Sequence, residues 1–310
     1  MDEFDRIAEF FAPLAGEAGL DLKDDAAVLT PPPGRQLVLT VDQMLQGVHF
    51  LTEDDPAMIA RKLLRRNLSD LAAMGAVPLG YLLTTALPPN LPEGWLAGFA
   101  AGLGSDQQEF GITLMGGDSS SARTDIALSA TLIGHVAPGQ ALRRNGAKAG
   151  DEIWVTGTIG DAALGLEARL GLRADPTGVL TRRSLLPEPR TGLSLAGIVN
   201  AAIDISDGLM QDLGHICRES GLSAMVQAAL VPISPEAMAQ GPEVLELRLT
   251  GGDDYELILA VPPEKTEALR AACTGLKITK IGVFKAGEGV ELYGDSSAPL
   301  NLASSGWKHF

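Results

Sequence analysis

Cysteine is scarce in this chain of 310 residues, which contains only Cys217 and Cys273. The two lie far apart and lack metal-ligand spacing, so the sequence predicts buried free thiols in a reducing cytoplasm. Long apolar runs are also missing, because no stretch reaches the roughly 18 residues that suggest a membrane span. The first residues are acidic and amphipathic, unlike a signal or transit peptide. We therefore expect a cytoplasmic protein without a membrane partner.

Basic charge is in short supply as well. The chain has 24 Lys and Arg residues against 39 Asp and Glu residues, which gives a formal net charge of −15. No basic patch or stripe stands out, and this argues against a nucleic-acid partner. An acidic protein can still bind a phosphorylated small molecule if divalent cations bridge the two anions. The charge balance thus favours metal-dependent phosphate chemistry, provided that the acids converge.

The size and hydropathy of the chain predict two domains. A length of 310 residues with 45% hydrophobic residues suits two cores of ordinary size. Strand and helix patterns mix without strict alternation, which indicates an α+β fold rather than a doubly wound sheet. We place the boundary in the basic, loop-like stretch that starts near residue 138, so the predicted domains are 1–138 and 139–310.

Four local patterns carry specific structural expectations. Residues from about 55 to 76 have helical spacing with one apolar face. Residues 23–29 are interpreted as an acidic turn running into a strand, and residues 37–42 as a strand that stops on Asp42. Ser206 or Asp207 is the expected N-cap of a helix.

Six aspartates share one kind of local setting. Each lies where a strand ends, where a helix begins or at a helix edge, and glycine accompanies several of them: Asp25, Asp42, Asp70, Asp118, Asp204 and Asp207. Turns are rich in Asp and Gly for purely structural reasons. Clustered carboxylates, however, repel one another unless a cation lies between them, and Mg²⁺ prefers a few carboxylates together with phosphate oxygens. The chain has neither a Walker A loop nor the protein-kinase signature set, so phosphoryl transfer here would need another nucleotide cradle.

Seven motifs, in the same order along the chain, resemble those of the thiamine-monophosphate kinase family. They are DDAA at 24–27, VD at 41–42, NLSDLAAMG at 67–75, GGD at 116–118, RNGAKAGD at 144–151, IDISDGL at 203–209 and GDDYEL at 252–257. This family is grouped with aminoimidazole-ribonucleotide synthetase and selenophosphate synthetase. The motifs at 67–75 and 203–209 are specific, whereas the glycine-acid turns alone are not.

The resemblance implies an activity and an architecture. The activity is direct in-line transfer of the ATP γ-phosphoryl group to thiamine monophosphate, giving thiamine diphosphate and ADP, with several Mg²⁺ ions bound. The architecture is a homodimer in which N-terminal mixed sheets with helices pair with each other. A C-terminal α/β sandwich-like domain then completes the active site.

The resemblance also implies roles for particular residues. The implied metal ligands are Asp25, Thr40, Val41, Asp42, Asp70, Asp118, Asp204 and Asp207. The implied ATP contacts are Phe110, Gly117, Asp118, Arg144 and Ser206. The implied contacts with thiamine phosphate are His49, Asp253 and Trp307. Of these residues, the implied catalytic set is Asp42, Asp70, Asp118, Arg144 and Asp207.

Two departures from the family pattern bear on these roles. Val41 stands where the family usually has a hydroxyl residue, so a metal contact there would use the backbone carbonyl. Asp253 replaces the usual Glu and is one methylene shorter, so a substrate contact would need a water. Two alternatives stay open, namely a related ATP-dependent enzyme with another substrate and a non-catalytic sensor of thiamine phosphate and nucleotide. Selenophosphate synthetase would need a reactive cysteine near the N-terminus, whereas the first cysteine is Cys217.

Overall fold

The structure of the protein is a computed structural model that describes residues 3–294 and 298–307. The chain divides into two compact units, one of Met1–Leu71 with Ala76–Gly139 and one of Ala72–Gly75 with Gln140–Phe310. Each unit contains a mixed sheet together with helices, so the predicted two-domain α+β fold is confirmed. No helix in the described part of the chain is both long enough and apolar enough to cross a membrane.

The first unit is built on a four-stranded sheet. Its elements are α1 (Glu3–Arg6), β1 (Gln36–Leu45), α2 (Pro56–Ala73), β2 (Val77–Leu87), α3 (Trp95–Phe110), β3 (Thr113–Ser121) and β4 (Ala127–Val136), with α2 ending in the segment assigned to the second unit. The strand order is β1-β4-β2-β3, in which β4 is antiparallel to both of its neighbours and β3 is parallel to β2. Strand β1 therefore lies at an edge of the sheet.

The core of this unit lies on one face of the sheet. Burial alternates residue by residue along β4, as expected for a strand with one covered face. Helix α2 supplies four fully buried leucines to the core, Leu63, Leu64, Leu68 and Leu71. A Cβ added to Gly102 of α3 would lie 2.3 Å from the carbonyl oxygen of Ala57 in α2, so the two helices pack at backbone distance there. The apolar stripe predicted for residues 55–76 is thus the stripe that α2 buries.

The second unit contains the remaining elements in chain order. They are β5 (Glu152–Thr156), α4 (Asp161–Arg169), α5 (Val179–Leu185), β6 (Ala201–Asp204), α6 (Leu209–Ser220), β7 (Leu222–Gln227), α7 (Pro235–Met238), α8 (Leu245–Thr250), β8 (Leu257–Val261), α9 (Thr266–Ala272), β9 (Ile278–Ala286), β10 (Gly289–Tyr293) and β11 (Pro299–Leu300). The sheet has the order β11-β10-β7-β9-β5-β8-β6, and β7 and β10 are its parallel pair.

Strand β8, in the sheet of the second unit, is buried on both faces. Ile258 and Ala260 of β8 belong to one buried apolar cluster, whereas Leu257, Leu259 and Val261 belong to another. Every residue of β8 is buried for this reason, and the strand is continuously apolar instead of alternating. The arrangement matches the sandwich-like domain that the family resemblance implies.

Three expectations about strands are corrected by the structure. Residues 26–29 form no strand, and the amide of Val28 donates to the carbonyl of Ala18 at 2.9 Å instead of to a neighbouring strand. Strand β1 does not stop at Asp42 but continues to Leu45, paired with β4 throughout. Residues 116–118 do not form a turn, since they lie inside β3 and pair with Leu82, Leu83 and Thr84.

Candidate functional site

In the first unit, the structure brings two implied metal ligands into direct contact. Thr40 of β1 donates a hydrogen bond from its hydroxyl to the Asp70 carboxylate on α2, at 2.5 Å. Asp42 lies two residues further along the same side of β1, and its carboxylate is 3.6 Å from the Nε atom of Arg66. The pattern of β1, with half-buried even positions, explains why Thr40 and Asp42 share one side of the strand.

A cavity of about 740 Å³ in the same unit contains three more of the implied site residues. Asp25 and Asp118 line it together with Gly117 and with the threonines Thr84, Thr85 and Thr131. Asp25 comes from the N-terminal segment and Asp118 from β3, so residues 93 positions apart line the same cavity. Carboxylates are the oxygen donors that a hard divalent cation prefers.

Gly117 has a packing role that does not depend on any ligand. A Cβ at this position would lie 1.8 Å from the carbonyl oxygen of Leu83, its register partner on β2. Only glycine therefore allows β2 and β3 to pair here without a backbone shift.

Three other implied residues of this unit have defined surroundings. Phe110 is the last residue of α3, and the guanidinium of Arg65 covers its ring at 5.0 Å from the ring centroid. The Nδ1 atom of His49 accepts a hydrogen bond from the Leu45 amide at 3.0 Å, which orients the imidazole. Val41 has a side chain that is 62% exposed on the outer side of β1.

In the second unit, β6 ends on the implied residue Asp204, and the loop after it carries two more, Ser206 and Asp207, and is shaped by a residue that was not anticipated. Asp212, in the first turn of α6, is almost fully buried and accepts hydrogen bonds from the backbone amides of Ser206, Asp207 and Gly208 at 2.9 to 3.1 Å. Burial raises the pKa of Asp212 to about 7, although the three amide donors and the helix N-terminus favour its ionised form. Asp204 ends β6 and is itself buried.

The predicted N-cap of this helix is wrong. Helix α6 begins at Leu209, and its N-cap is Gly208, whose φ of 120° is accessible chiefly to glycine. Because Asp212 already binds the amides of residues 206–208, neither the Ser206 nor the Asp207 side chain is needed as a cap. Both are half-exposed, so their side chains can meet a ligand.

Two segments distant in sequence meet this loop. The amide of Asp253 donates to the carbonyl of Ser206 at 2.9 Å, and the amide of Trp307 donates to the carbonyl of Asp207 at 3.0 Å. Gln211 reinforces the second contact, because its amide nitrogen donates to the Asp207 carboxylate and to the Trp307 carbonyl. The structure thus brings together residues implied for metal, ATP and thiamine phosphate. The side chain of Trp307 is 56% exposed and does not plug the core.

Arg144 lies beside helix α6 of the second unit. Its backbone carbonyl accepts a hydrogen bond from the Ser220 hydroxyl at the end of α6, at 3.0 Å, while the residue itself is exposed. The positive charge of Arg144 also contributes to lowering the pKa of His215 on α6, after burial and the neighbouring Arg218. The backbone of Arg144 is therefore held in place, while the residue is exposed and its guanidinium can bind an anionic ligand.

Sequence reasoning missed a buried ionic network behind the Asp253 turn. Glu256 is completely buried and accepts hydrogen bonds from Thr156 at 2.6 Å, Arg183 at 2.8 Å and Arg190 at 2.6 Å. Asp254 is also buried and accepts from the Gly160 amide at the start of α4, at 2.6 Å. The acid-rich run at 253–256 was the available signal for the two acids. The two arginines lie in a stretch with no periodic pattern, which gave no signal.

Two carboxylates and one imidazole of the second unit also lie close enough together to hold a cation. Carboxylate oxygens of Asp207 and Asp212 and a ring nitrogen of His215 lie within 4.8 Å of one another. Asp212 already serves three backbone amides, so Asp207 is the member of this group with greater freedom to bind a ligand.

Comparisons with known proteins give consistent matches. Residues 23–136 match the family model described as AIR synthase related protein, N-terminal domain, and residues 148–295 match the corresponding C-terminal domain. Thiamine-monophosphate kinase of Caulobacter vibrioides is 45% identical, with 99% of this chain and 90% of that protein covered.

Two solved structures are similar over most of the chain. Thiamine-monophosphate kinase from Stenotrophomonas maltophilia K279a superposes with a TM-score of 0.81 at 39% identity, covering 93% of each chain. AaThiL complexed with AMPPCP and TMP superposes with a TM-score of 0.80 at 30% identity, covering 99% of this chain and 97% of that one.

Proposed function

The chain belongs to the thiamine-monophosphate kinase family, and we propose that it transfers the γ-phosphoryl group of ATP to thiamine monophosphate, giving thiamine diphosphate and ADP. The observation that carries the proposal is the convergence of Ser206, Asp207, Asp253 and Trp307, which come from three separate segments of the second unit. Residues for nucleotide, metal and acceptor are neighbours in such an arrangement. The similar structure that binds both AMPPCP and TMP supports the same pairing of ligands.

The acceptor requires little activation in this reaction. Its nucleophile is a phosphate oxygen that is already ionised at neutral pH, so no strong general base is needed. The barrier is the approach of two anions, and it falls when positive groups hold them in line. Arg144 is the exposed cation that serves this purpose, while Ser206 and Gly117 offer polar contacts and close backbone approach to the nucleotide.

The residues present fit Mg²⁺ as the cofactor. In the first unit Thr40, Asp42, Asp70, Asp25 and Asp118 offer oxygen donors, and Val41 offers its carbonyl; in the second unit Asp204 and Asp207 do so. When bound, Mg²⁺ neutralises phosphate oxygens of the nucleotide. The chain's own contribution is to fix these donors, as Thr40 does for Asp70 and Asp212 does for the loop that carries Asp207.

The proposed contacts with the acceptor are His49 in the first unit and Asp253 and Trp307 in the second unit. An exposed indole can stack on a heteroaromatic ring, and a cationic thiazolium adds about 0.5–2 kcal/mol to such a contact. The Asp253 carboxylate provides an acceptor or a negative charge that complements the substrate cation.

The decisive experiment is a product assay. Purified protein is incubated with ATP, Mg²⁺ and thiamine monophosphate, and thiamine diphosphate is separated by chromatography. Free thiamine, which offers a hydroxyl in place of a phosphate, is the control acceptor and should react far less. Equal or better use of free thiamine would refute the proposal. Binding of nucleotide and thiamine monophosphate in calorimetry without any product would indicate a sensor instead.

The same proposal includes a homodimer formed through the N-terminal units. Edge strand β1 exposes the apolar side chains of Leu37, Leu39 and Val41, which are 39%, 62% and 62% exposed. An apolar edge strand is a surface that proteins usually cover, and a second copy of the same strand would do so. We also propose the cytoplasm as the location, which the free, buried thiols of Cys217 and Cys273 support.

A further inference from the structure

The turn that carries Asp253 has an unusual backbone. Asp253 and Tyr255 have φ values of 71° and 53°, in the left-handed region that side chains with a Cβ rarely adopt. Residues held there persist only when their surroundings determine the conformation, and such residues cluster at functional sites. The question is what holds Asp253 in place.

The backbone of the turn is fixed by the loop after β6. The amides of Asp253 and Tyr255 donate to the carbonyls of Ser206 and Ile205 at 2.9 and 2.8 Å, and the amide of Ile205 donates to the carbonyl of Glu256 at 2.8 Å. A Cβ on Gly252 would lie 2.2 Å from the Ser206 carbonyl oxygen, so the two segments are in backbone contact. The position of the turn therefore depends on the position of the loop after β6.

The side chains on either side of Tyr255 act as anchors. The buried Asp254 binds the amide of Gly160, and the buried Glu256 binds the half-buried Arg183 and Arg190. Because both neighbours are immobilised, the phenol of Tyr255 is held in a fixed direction. Tyr255 is 2% exposed.

The phenol ends on the substrate-side carboxylate. The hydroxyl of Tyr255 donates to Oδ1 of Asp253 at 3.0 Å, whereas Asp253 itself is half-buried and reachable by a ligand. A hydrogen bond to an ionised carboxylate is stronger than one between neutral groups. This hydrogen bond holds one carboxylate oxygen of Asp253 in place, and the direction of the other oxygen is thereby fixed as well.

We propose that Tyr255 is a positioning residue, whose buried hydroxyl fixes the Asp253 carboxylate in the orientation that receives the thiamine phosphate acceptor. The inference rests on the proposed function, because it takes Asp253 as an acceptor contact. Tyr255 does not touch the substrate, and it acts through Asp253. This also explains how a carboxylate one methylene shorter than the usual Glu serves at this position, since the phenol restricts its rotation.

The test uses Tyr255→Phe, which removes one oxygen and keeps the buried ring. The KM for thiamine monophosphate should rise about tenfold, the equivalent of one hydrogen bond to a charged group, whereas the KM for ATP and the melting temperature should stay near the wild-type values. Tyr293→Phe is the matched control. The Tyr293 hydroxyl donates to the carboxylate of Glu291 at 2.9 Å, and the acceptor lies two residues earlier in the sequence, as Asp253 does for Tyr255. That control should change none of the three quantities.

A double-mutant cycle separates positioning from a general structural role. Asp253→Ala alone should raise the KM for thiamine monophosphate, and Tyr255→Phe should add nothing in that background. Additive effects of the two substitutions would overturn the proposal, as would a Tyr255→Phe enzyme with wild-type KM. If the wild-type enzyme makes no thiamine diphosphate at all, the proposed function fails instead.

A second measurement does not depend on the folding of Tyr255→Phe. The chain has three tyrosines, so labelling with 3-fluorotyrosine gives three ¹⁹F resonances, assigned with Tyr81→Phe and Tyr293→Phe. Addition of thiamine monophosphate with Mg²⁺ and AMPPCP should shift the Tyr255 resonance and leave that of Tyr293 in place. A Tyr255 resonance that does not respond to saturating acceptor would refute the positioning role.

Discussion

The hydroxyl of Thr40 and the carboxylate of Asp70 are joined by a 2.5 Å hydrogen bond between residues 30 positions apart in the sequence. The bond connects edge strand β1 to helix α2. It places the Asp70 carboxylate of α2 beside the Thr40 hydroxyl of β1. The bond fits two roles of Asp70, namely a structural acid held by Thr40 and a metal ligand that Thr40 orients.

Asp70→Asn tests whether this carboxylate is a metal ligand. Asn keeps an oxygen that can accept from Thr40 but lacks the charge, so kcat should fall about a hundredfold or more while the metal-free protein melts at the same temperature or higher. Mg²⁺ with nucleotide should raise the melting temperature less than in the wild type. Asp125→Asn is the control, since Asp125 is exposed and bonded to the hydroxyl of Thr124. Early melting with turnover retained would make Asp70 a structural residue.

Leu39→Glu tests the proposed dimer surface. A charge at the centre of the exposed apolar row on β1 should convert the dimer to a monomer in light scattering at micromolar concentration. Leu172→Glu, at a side chain that is 69% exposed in the second unit, should leave the dimer intact. A wild-type chain that is monomeric at that concentration would contradict the dimer itself.

Asp254 predicts a pH dependence of stability. Burial raises its pKa to about 8, with the nearby Asp161 adding to the increase, whereas an unfolded aspartate ionises near 3.9. Between these two values the folded state binds a proton that the unfolded state lacks, so the contribution of Asp254 to stability decreases as the pH rises to about 8 and is constant above it. The wild type should therefore lose stability relative to Asp254→Asn between pH 5 and 8, measured by denaturant unfolding. A difference that does not vary with pH would contradict the assignment.

The Glu256→Gln substitution should lower the free energy of unfolding of the second unit. The substitution removes the buried carboxylate from Arg183 and Arg190, whose side chains are 14% and 16% exposed, and leaves both beside the half-exposed Glu188. Breaking a buried ion pair by removing one member typically costs about 3–5 kcal/mol. Glu267→Gln is the control, because Glu267 is 91% exposed and its pair with Arg270 is worth little. Equal melting temperatures for the two variants would show that the buried network is not a major source of stability.

The parts of the fold that the sequence predicted are those governed by periodicity. The apolar stripe of α2 is such a local signal, since burial of one helix face acts directly on residue type. The glycines at 116 and 117 suggested a turn, yet the carbonyl of Leu83 requires a residue without a Cβ within a strand. That requirement comes from a neighbouring strand and has no trace in the local pattern.

The candidate site shows the same division. The acids stood out because the glycines and apolar runs beside them are visible in one segment, although Asp42 and Asp118 lie inside β1 and β3 and not at the ends of these strands. Asp212 did not, since its role is to bind amides of residues 206–208 through a turn that only the fold defines. Arg183 and Arg190 were missed for a related reason, because their partner Glu256 lies 73 and 66 positions away.

The packing of Gly117 restricts how this chain can change. Any missense codon at position 117 introduces a Cβ into a space where one would lie 1.8 Å from the Leu83 carbonyl. A saturation library of this position that is screened only for folded protein should therefore return glycine, whether or not nucleotide is present. Invariance of this residue in such a screen would report on the pairing of two strands, and it could not be taken as a sign of contact with ATP.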